Sequence, residues 1–423
     1  MYSFWQSLSH RRVSANNKTT KENRNALLFP FTAEIISGRP RGHAWESMAA
    51  FDYSVLAADA LEPLAGEWRA LHARLGNRPF TSYEWVHTWW HSLGKSHSAQ
   101  ELHIVTARKD GQLAGLLPLA TRNRGGLRIL GTAGHEVFIG DVLCDSLGQA
   151  KALWHFAREN IRFDIAQIKD MFPELMSYSA LASFAELRDR TRAPYLTVAW
   201  SSGDEWFASL PGRLRNLFTR RIKRMKQQGP VSFEVCTSLP LPKNIIDDMI
   251  AHKISRLRAT GEPGPFDYAA TPEFIHKILT LAAQDNQLFL GWLKCGDRPV
   301  AYIFGFIYLD TLHFDQISYD PAWAHCSPGN IALNHMVRWA IDNGLKTVDF
   351  RQGDFGYKNH YAAASRDCGE FMFGNGSLKS WLARHSFVAL RALLRLARSA
   401  RAALRQSGIN SGDGAAKNGA ARD

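Results

Sequence analysis

The order of the predicted secondary structure constrains the fold most, because the same order appears twice along the 423 residues. Each half begins with apolar residues at helical spacing, continues with two strands joined by a polar turn, and ends in further strands. The helical patterns and hairpins lie at 61–75, 82–93 and 102–119 in the first half, and at 245–260, 272–284 and 287–308 in the second. The residues themselves do not repeat. The pattern predicts an α+β protein with two similar domains.

Composition and charge divide the chain into four parts. The formal net charge is +12, but residues 1–50 carry +4 of it and residues 378–423 carry +7, which leaves the remainder near neutral. We therefore predict a disordered basic tail at 1–50, an N-terminal domain at 51–195, a C-terminal domain at 196–376, and a basic helix with a flexible tail at 377–423. Met48 stands directly before the first regular pattern and is an alternative translation start.

The overall composition excludes several classes of protein. Hydrophobic residues make up 45% of the chain, which is typical of a packed protein and excludes wholesale disorder. No run approaches the roughly 18–20 apolar residues that a membrane-spanning helix needs. The five cysteines are scattered without a C-x-x-C pair, which favours a reducing compartment and disfavours a zinc site. We expect a cytoplasmic protein. Because the basic excess lies at the ends, nucleic acid is not an expected partner.

Residues 380–406 form one amphipathic pattern with an unusual charge. Six arginines fall within an arc of about 120° on a helical wheel. Most of the leucines lie on the other side, and the segment contains no acid. Such a helix can lie on an anionic membrane leaflet, which would make the protein peripheral at the inner membrane. The alternatives are that its leucines cover the C-terminal domain or form a dimer.

A turn that begins a helix is the most informative local motif. Ser327, Pro328, Gly329 and Asn330 follow three predicted strands and open a helical pattern that extends to residue 343. Unpaired backbone N–H groups and the positive end of the helix dipole attract anions there. Pro328 also suits a first helical turn. Ser-Pro-Gly begins many ordinary helices as well, so these four residues are candidates for contact with a phosphate or pyrophosphate.

Short motifs occur in a defined order along both halves. In the first half they are Phe80–Trp85, Trp89-Trp90, Gly115–Leu119 and Leu130-Gly131. In the second half they are Arg220-Arg221, Gly229–Glu234, His252, Arg256, Pro299–Ala301, Tyr319–Pro321, Ser327–Gly329, Asp349-Phe350, Gly353-Asp354 and Tyr357-Lys358. In this order they resemble the GNAT superfamily, and within it the CelD-like acetyltransferases of cellulose biosynthesis, which are related to the FemAB peptidyltransferases. The resemblance covers about residues 55–375.

The resemblance implies a fold and an activity. The fold is two tandem GNAT-like domains with mixed central sheets flanked by helices, and the C-terminal domain holds an acyl-CoA. The activity is that of an N-acyltransferase, with acetyl-CoA or another acyl-CoA as co-substrate. Because family members are commonly linked to polysaccharide or envelope building, the expected acceptor is a small molecule or a glycan or lipid-linked precursor.

Five residues are candidates for the proton transfers of such a reaction, because a protonated amine cannot attack a thioester. The candidate bases are Asp354, Asp349 and Asp320, with Asp354 preferred because it follows a strand in a predicted loop. Burial at the end of an apolar strand is expected to raise the pKa of Asp349. A loop acid, a strand cap and an Asp-Pro turn are the respective structural alternatives. Tyr319 and Tyr357 are candidates for protonating the leaving thiolate, unless they are ordinary buried tyrosines.

Five further residues are candidate ligand contacts. Arg220 and Arg221 belong to a predicted helix with seven basic residues and no acid, and are expected near the phosphates of the acyl-CoA; a solvated face and a tRNA surface are the alternatives. His252 and Arg256 share a helix face that either packs on a neighbour or lines an acceptor cleft between the domains. Lys358 either pairs with an acidic group of the ligand or is an ordinary surface lysine. No spacing of His and acidic residues suggests a metal site, and no metal is predicted.

The sequence thus predicts a GNAT-type acyltransferase that modifies an amine or hydroxyl of a polysaccharide or cell-envelope precursor. Two alternatives stay open. One is a Fem-like aminoacyl-tRNA-dependent transferase. The other is a non-catalytic GNAT-fold protein that assists exopolysaccharide assembly.

Overall fold

A computed structural model describes residues 51–75, 78–96, 100–134, 139–260, 269–352 and 358–386. The predicted tail at 1–50 lies outside this part of the chain, as does the predicted C-terminal helix beyond residue 386. Within it, no helix is long and apolar enough to cross a bilayer.

The described part contains twelve strands and nine α-helices, together with short 3₁₀ turns and a helical segment at 378–386. The strands are β1 (Asp52–Leu56), β2 (Gln100–Lys109), β3 (Gln112–Arg124), β4 (Leu127–Thr132), β5 (Ile165–Met171), β6 (Glu186–Thr197), β7 (Val231–Cys236), β8 (Leu288–Cys295), β9 (Arg298–Tyr308), β10 (Thr311–Tyr319), β11 (Thr347–Asp349) and β12 (Ala364–Gly374). The helices are α1 (Ala65–Leu75), α2 (Tyr83–Trp89), α3 (Leu147–Asn160), α4 (Met176–Leu181), α5 (Gly203–Ser209), α6 (Gly212–Lys226), α7 (Lys243–Thr260), α8 (Thr271–Gln284) and α9 (Pro328–Asp342).

The repeated plan predicted from the sequence is confirmed by the sheet topology. In the first half, two helices separate β1 from the antiparallel strands β2, β3 and β4, and α3 then leads to β5, which is parallel to β4. In the second half, two helices separate β7 from the antiparallel strands β8, β9 and β10, and α9 leads to β11, which is parallel to β10. The α+β fold class is therefore confirmed.

The two halves share one twelve-stranded sheet because they exchange strands. Its order is β1-β2-β3-β4-β5-β12-β6-β11-β10-β9-β8-β7. Strand β6 of the first half lies between β12 and β11, whereas β12 of the second half lies between β5 and β6. The predicted boundary at 195/196 therefore falls inside β6, at the centre of a continuous sheet, and the division into domains stays a prediction.

The helices cover the sheet as two layers with three main cores. On one face α1, α2, α7 and α8 pack in a single core that joins both halves, with Trp68, Trp85, Ile246 and Phe304 fully buried or nearly so. On the other face α3 and α4 cover the first half, and α5, α6 and α9 cover the second. Alternate residues of β9 enter opposite cores, Phe304 the shared one and Ile303 the other.

The helix predicted at 82–93 is confirmed in its extent, as an α-helix over Tyr83–Trp89 that continues as a π-helix over Trp90–Gly94. One local prediction was wrong. The strand predicted at 137–143 is absent from the described residues 139–143, where only Leu143 bridges to Leu116. The carboxylate of Asp141 accepts the N–H groups of Val142 and Ser177 there, and this local bonding takes the place of a strand ladder.

Candidate functional site

The candidate site is built where β10 and β11 separate. These parallel strands pair over three residues only, and the last pair joins His313 to Asp349. Strand β11 ends there, whereas β10 continues six residues further to Tyr319, about 20 Å at the usual strand rise. A bulge between Phe314 and Gln316 bends β10 at the same level. On the side facing β11, the described part of the chain records no strand partner for β10 beyond His313.

The far end of this exposed stretch of β10 lies against the start of α9. Ser327 has left-handed backbone angles (φ 51°, ψ 53°), and its side chain does not cap the helix. Pro328 follows as the first helical residue, and Gly329 packs so close to Ile317 and Tyr319 that a Cβ would lie 3.3 Å and 3.4 Å from them. This geometry is compatible with the predicted phosphate contact, because the Ser327 side chain does not occupy the first-turn N–H groups.

The next residue, Asn330, is tied to the rest of the site by its backbone. Its carbonyl accepts a hydrogen bond of 3.1 Å from the Tyr361 hydroxyl, and its N–H donates to Ser327. The role of all four turn residues as a cofactor contact stays a prediction.

The basic helix α6 lies beside the start of α9, but its two predicted arginines differ. Arg224 donates to the His325 carbonyl at 3.0 Å, just before α9. Arg221 is half-buried near Tyr361, and burial lowers the pKa of its guanidinium. Arg220 is exposed and donates to the Asn216 carbonyl of its own helix. The structure therefore brings Arg221 toward the predicted anion site, whereas Arg220 faces solvent.

His252 and Arg256 lie on the face of α7 that packs on the ends of β9 and β10. The His252 ring stacks on Tyr302 at 5.7 Å between centroids, and the Arg256 guanidinium lies 5.6 Å from the centre of the Tyr319 ring. Burial and the neighbouring Asp248 raise the pKa of the Tyr302 hydroxyl. This is the packing alternative for His252 and Arg256, and it also accounts for the position of Tyr319.

Asp320 caps a turn, which is the structural alternative predicted for it, and its carboxylate is not open to a ligand. Its carboxylate accepts the N–H of Ala322 at 3.0 Å, capping the 3₁₀ turn Pro321–Cys326, and pairs with Arg298. Only 6% of Asp320 is exposed. With both oxygens engaged, this carboxylate is poorly arranged to accept a proton from a ligand.

Asp349 is buried as predicted, but the expected rise of its pKa was wrong. Burial alone would raise the pKa of this carboxyl, yet the hydrogen bond from His313 and the charge of Arg366 hold it well below its ordinary value. His313 Nδ1 lies 3.1 Å from Asp349 Oδ2, and the Arg351 N–H donates to Oδ1 at 2.8 Å. Arg366 forms an ion pair with the same carboxylate. Asp349 is therefore an ionised carboxylate that organises its neighbours.

Lys358 is neither an ordinary surface lysine nor an open phosphate contact. Its side chain is fully buried, and its ammonium donates to the carbonyls of Phe350 at 2.6 Å and Gln352 at 3.1 Å. It also lies 5.6 Å from the centre of the Phe314 ring. Burial lowers the pKa of Lys358 to about 7. Lys358 thus anchors the chain just after β11, where it leaves β10.

The preferred base Asp354 and the candidate acid Tyr357 lie outside the described residues, as does Gly353. Their roles stay predictions.

A cleft of about 370 Å³ opens beside the point where β10 and β11 part. It lies on the same face of the sheet as the shared core, and its walls come from both halves of the chain. Its lining residues are Arg78, Glu174, Tyr195, Tyr308, Leu309, Thr311, His313, Thr347 and Arg366. His252 and Arg256 are not among them, so the cleft that the structure describes is not the one predicted for these two residues.

One group of described residues has the spacing of metal ligands. Glu62, His87 and His91 each offer a ligand atom, and the three atoms lie within 4.8 Å of one another. His91 Nε2 is hydrogen-bonded to Glu62 at 2.9 Å, while Lys95 Nζ lies 3.2 Å from His91 Nδ1. The group belongs to the first half, outside the β10 site. That the reaction uses no metal stays a prediction.

Comparison with known proteins finds a family match in the second half. Residues 212–359 match the model of the acetyltransferase (GNAT) domain. The match begins with α6 and includes β7 to β11 and α9, the elements that build the site. A GNAT domain typically uses an acyl-CoA, which agrees with the uncapped helix start beside β10.

Solved structures resemble a larger part of the chain. The crystal structure of FemX superposes with a TM-score of 0.50 at 11% identity, covering 76% of this chain and 97% of that one. A tandem GNAT protein from the clavulanic acid biosynthesis pathway gives 0.42 at 13% identity, covering 77% and 99%. The C-terminal domain of a putative lysylphosphatidylglycerol synthetase from Agrobacterium fabrum gives 0.46 at 10% identity, covering 78% and 96%. The likeness to FemX extends over both halves of the chain and shows that the two proteins share a fold. No curated protein matches the sequence significantly.

Sequence reasoning missed His313, which lines the cleft and is also the last residue of β10 that pairs with β11. His313 lines the cleft and pairs with Asp349, and Arg366 of the exchanged strand β12 bonds to the same carboxylate. A signal was available for His313, because an imidazole between apolar neighbours in a buried strand is unusual. The pairing itself depends on the register of β10 against β11, to which the sequence gives no guide.

Proposed function

We propose that this protein is an acyl-CoA-dependent acyltransferase that moves an acyl group, acetyl in the first instance, to an amine or hydroxyl. The observation that carries the proposal is the separation of β10 from β11. It leaves a stretch of β10 of about 20 Å between a helix start suited to an anion and the His313–Asp349 pair. An extended donor with a phosphate-bearing end and a reactive thioester end matches this arrangement.

The charges along this stretch of β10 support binding of the donor with its phosphates at the α9 end and its thioester at the His313 end. The uncapped first turn of α9 lies at one end, next to Arg221 and Arg224 of α6. Arginine beside a helix N-terminus favours phosphate oxygens. The other end carries the buried pairs His313–Asp349 and Arg351–Asp315, where a thioester carbonyl and its attacking nucleophile would meet.

The chemistry requires no covalent intermediate with the protein. The lone pair of the acceptor nitrogen or oxygen attacks the thioester carbonyl, the new N–C or O–C bond forms, and the C–S bond breaks with the electron pair leaving on sulfur. Backbone N–H groups of β10 beyond the end of its described ladder with β11 are suited to bind the oxyanion. One proton leaves the acceptor, and the thiolate takes up one proton.

The acceptor is proposed from the motif resemblance to the CelD-like family. It is an amine or hydroxyl of a polysaccharide or cell-envelope precursor. Contact with an anionic inner-membrane leaflet through residues 380–406 belongs to the same proposal. In the described helical segment 378–386, Leu378, Trp381 and Leu382 are each at least half exposed, which supports it. Cosedimentation with vesicles containing anionic lipid, compared with vesicles of neutral lipid only, tests this part.

The likeness to FemX keeps one second candidate, a transferase that takes its acyl group from an aminoacyl-tRNA. The exposed basic residues of α6 would then contact the tRNA backbone. Ribonuclease treatment of the assay separates the two, because only this candidate loses its donor.

The test of the proposed function is ligand binding to the full chain. We expect acetyl-CoA or a longer acyl-CoA to raise the melting temperature, since a ligand at about 100 times its Kd stabilises the native state by about 2.7 kcal/mol. Free CoA serves as the comparison that isolates the contribution of the acyl group. The absence of any shift at millimolar acyl-CoA would contradict the proposal and favour the tRNA-dependent or non-catalytic alternative.

A further inference from the structure

The cleft beside β10 offers several hydrogen-bonding side chains to a small molecule. Hydroxyl groups come from Tyr195, Thr311 and Thr347, and charged groups from Arg78, Glu174 and Arg366. Arg366 is already paired with Asp349 and Glu174, so the charges of this wall are largely balanced. The rings of Tyr195 and Tyr308 and the side chain of Leu309 form the apolar part of the wall, so the lining suits a small molecule that offers hydrogen-bonding groups beside an apolar face.

Three lining residues belong to the β10–β11 ladder: Thr311 and Thr347 form its first pair, and His313 lies at the end where the strands separate. Its ring stacks on Tyr308 with centroids 3.8 Å apart and planes 8° from parallel, which fixes the ring plane. Its Nδ1 lies 3.1 Å from Asp349 Oδ2. Because Asp349 is ionised, Nδ1 carries the proton and donates it in this bond, and Nε2 is left with its lone pair.

The imidazole is held in the form that can accept a proton. Burial lowers the pKa of His313, although the neighbouring carboxylate acts in the opposite sense. The groups around it are Asp349 of β11 with the following Arg351, Tyr308 of β9, Arg78 of the first half and Arg366 of β12. Three of these are cations, and they oppose a second proton on the ring.

His313 also lies beside the position that the attacking atom of the acceptor has to occupy. It is the last residue of β10 that pairs with β11, directly before the bulge and the exposed stretch. A donor lying along that stretch brings its thioester to His313, while the cleft reaches the same side chain from the other direction.

We infer that the cleft is the acceptor site, that it takes a small polar amine or alcohol, and that His313 is the general base, with Asp349 as the positioning residue that holds its tautomer. This inference rests on the proposed function. His313 Nε2 takes the proton of the attacking N–H or O–H as the N–C or O–C bond forms. The proton then passes to solvent or to the departing thiolate.

The experiment measures CoA formation chromatographically from saturating acetyl-CoA, with D-glucosamine, L-lysine, glycerol or water alone as acceptor probes. We expect His313→Gln to lower kcat about 100-fold or more and to leave the Kd for acetyl-CoA unchanged. With glycerol or water, which do not titrate in this range, the wild-type rate should fall at a pH below about 6.5, and this acid limb should disappear in the variant. Asp349→Asn should lower kcat and shift the acid limb. If Asp349 had a purely structural role, its replacement would change neither the position of the limb nor the relative effects on KM and kcat.

His335 provides the matched control. It is a histidine of α9 whose ring stacks on Phe233, and burial lowers its pKa too, but it does not line the cleft. His335→Gln should retain the wild-type pH profile.

The outcomes separate the two proposals. If acetyl-CoA does not bind the wild type, the proposed function fails. If acetyl-CoA binds but His313→Gln retains kcat within a few fold, the assignment of the base is overturned alone. Bound acetyl-CoA without CoA release to any probe, water included, would also overturn it, because a base in this position must at least activate water.

Discussion

Asp349 is a residue whose charge stabilises the centre of the sheet. It accepts from His313, Arg366 and the Arg351 N–H, and 2% of it is exposed. Because its pKa is lowered in the folded state, its contribution is present above the unfolded value near pH 4 and is lost as the pH falls below it.

We predict that Asp349→Asn lowers the free energy of unfolding by about 3–5 kcal/mol at pH 7, because it removes the buried charge that pairs with Arg366 and accepts hydrogen bonds from His313 and the Arg351 N–H. Urea unfolding at pH 7 measures the loss. Asp320→Asn is the matched control. Its partner Arg298 is mostly exposed and Asn can still cap the 3₁₀ turn, so the expected cost is about 1 kcal/mol or less. Equal losses in the two variants would contradict the prediction.

Lys358 gives the same sign of pH dependence as Asp349, but in a higher pH range. Burial lowers its pKa to about 7, whereas an unfolded lysine titrates near 10.4. Between these values the unfolded chain binds more protons than the folded one, so stability rises with pH. We predict that the stability difference between the wild type and Lys358→Met grows from pH 7 to 9.5, by at most about 1.4 kcal/mol per pH unit.

Urea midpoints at several pH values test this prediction. Lys346→Met is the control, because Lys346 is exposed and its pKa is raised by Asp310, so its contribution stays constant in this window. A difference for Lys358→Met that does not change with pH would show that Lys358 titrates normally.

At the scale of elements, α6 lies beside the start of α9, and this position gives two adjacent arginines different surroundings. Arg221 is half-buried toward the predicted phosphate site, whereas Arg220 faces solvent. We predict that Arg221→Ala weakens acetyl-CoA binding about 10-fold or more, because a charge-assisted hydrogen bond to phosphate is worth about 1.5–3 kcal/mol. Arg220→Ala should change the Kd by less than about 2-fold, since Arg220 is exposed and bonded to its own helix. Isothermal titration at two salt concentrations provides the measurement. The reverse order of effects would place the phosphates elsewhere.

At the scale of the whole molecule, exchange of β6 and β12 ties the two halves together. Each exchanged strand pairs with the other half, and α1, α2, α7 and α8 share one core. We predict a single cooperative unfolding transition, because neither half can unfold without exposing the edge and the core of the other. Circular dichroism and tryptophan fluorescence should give the same urea midpoint. Two separate transitions would show that the halves are independent.

The sequence by itself determined the features that depend on near neighbours. Helical spacing, the Asp-Gly turn of the first hairpin and the Ser-Pro-Gly helix start act within a few residues, so the repeated order of elements and the start of α9 were predictable. Burial of Asp349 followed from its apolar strand in the same way.

The tertiary structure decided the rest, because it sets which distant segments become neighbours. No sequence pattern predicted β6 or β12, since β6 reads "ELRDRTRAPYLT" with polar residues in place of a clear alternation. Their partners lie far along the chain, and only the assembled sheet makes them central strands. The same holds for the sign of the Asp349 pKa shift. It depends on His313, 36 residues away, and on Arg366 of β12, which the strand register brings to one carboxylate.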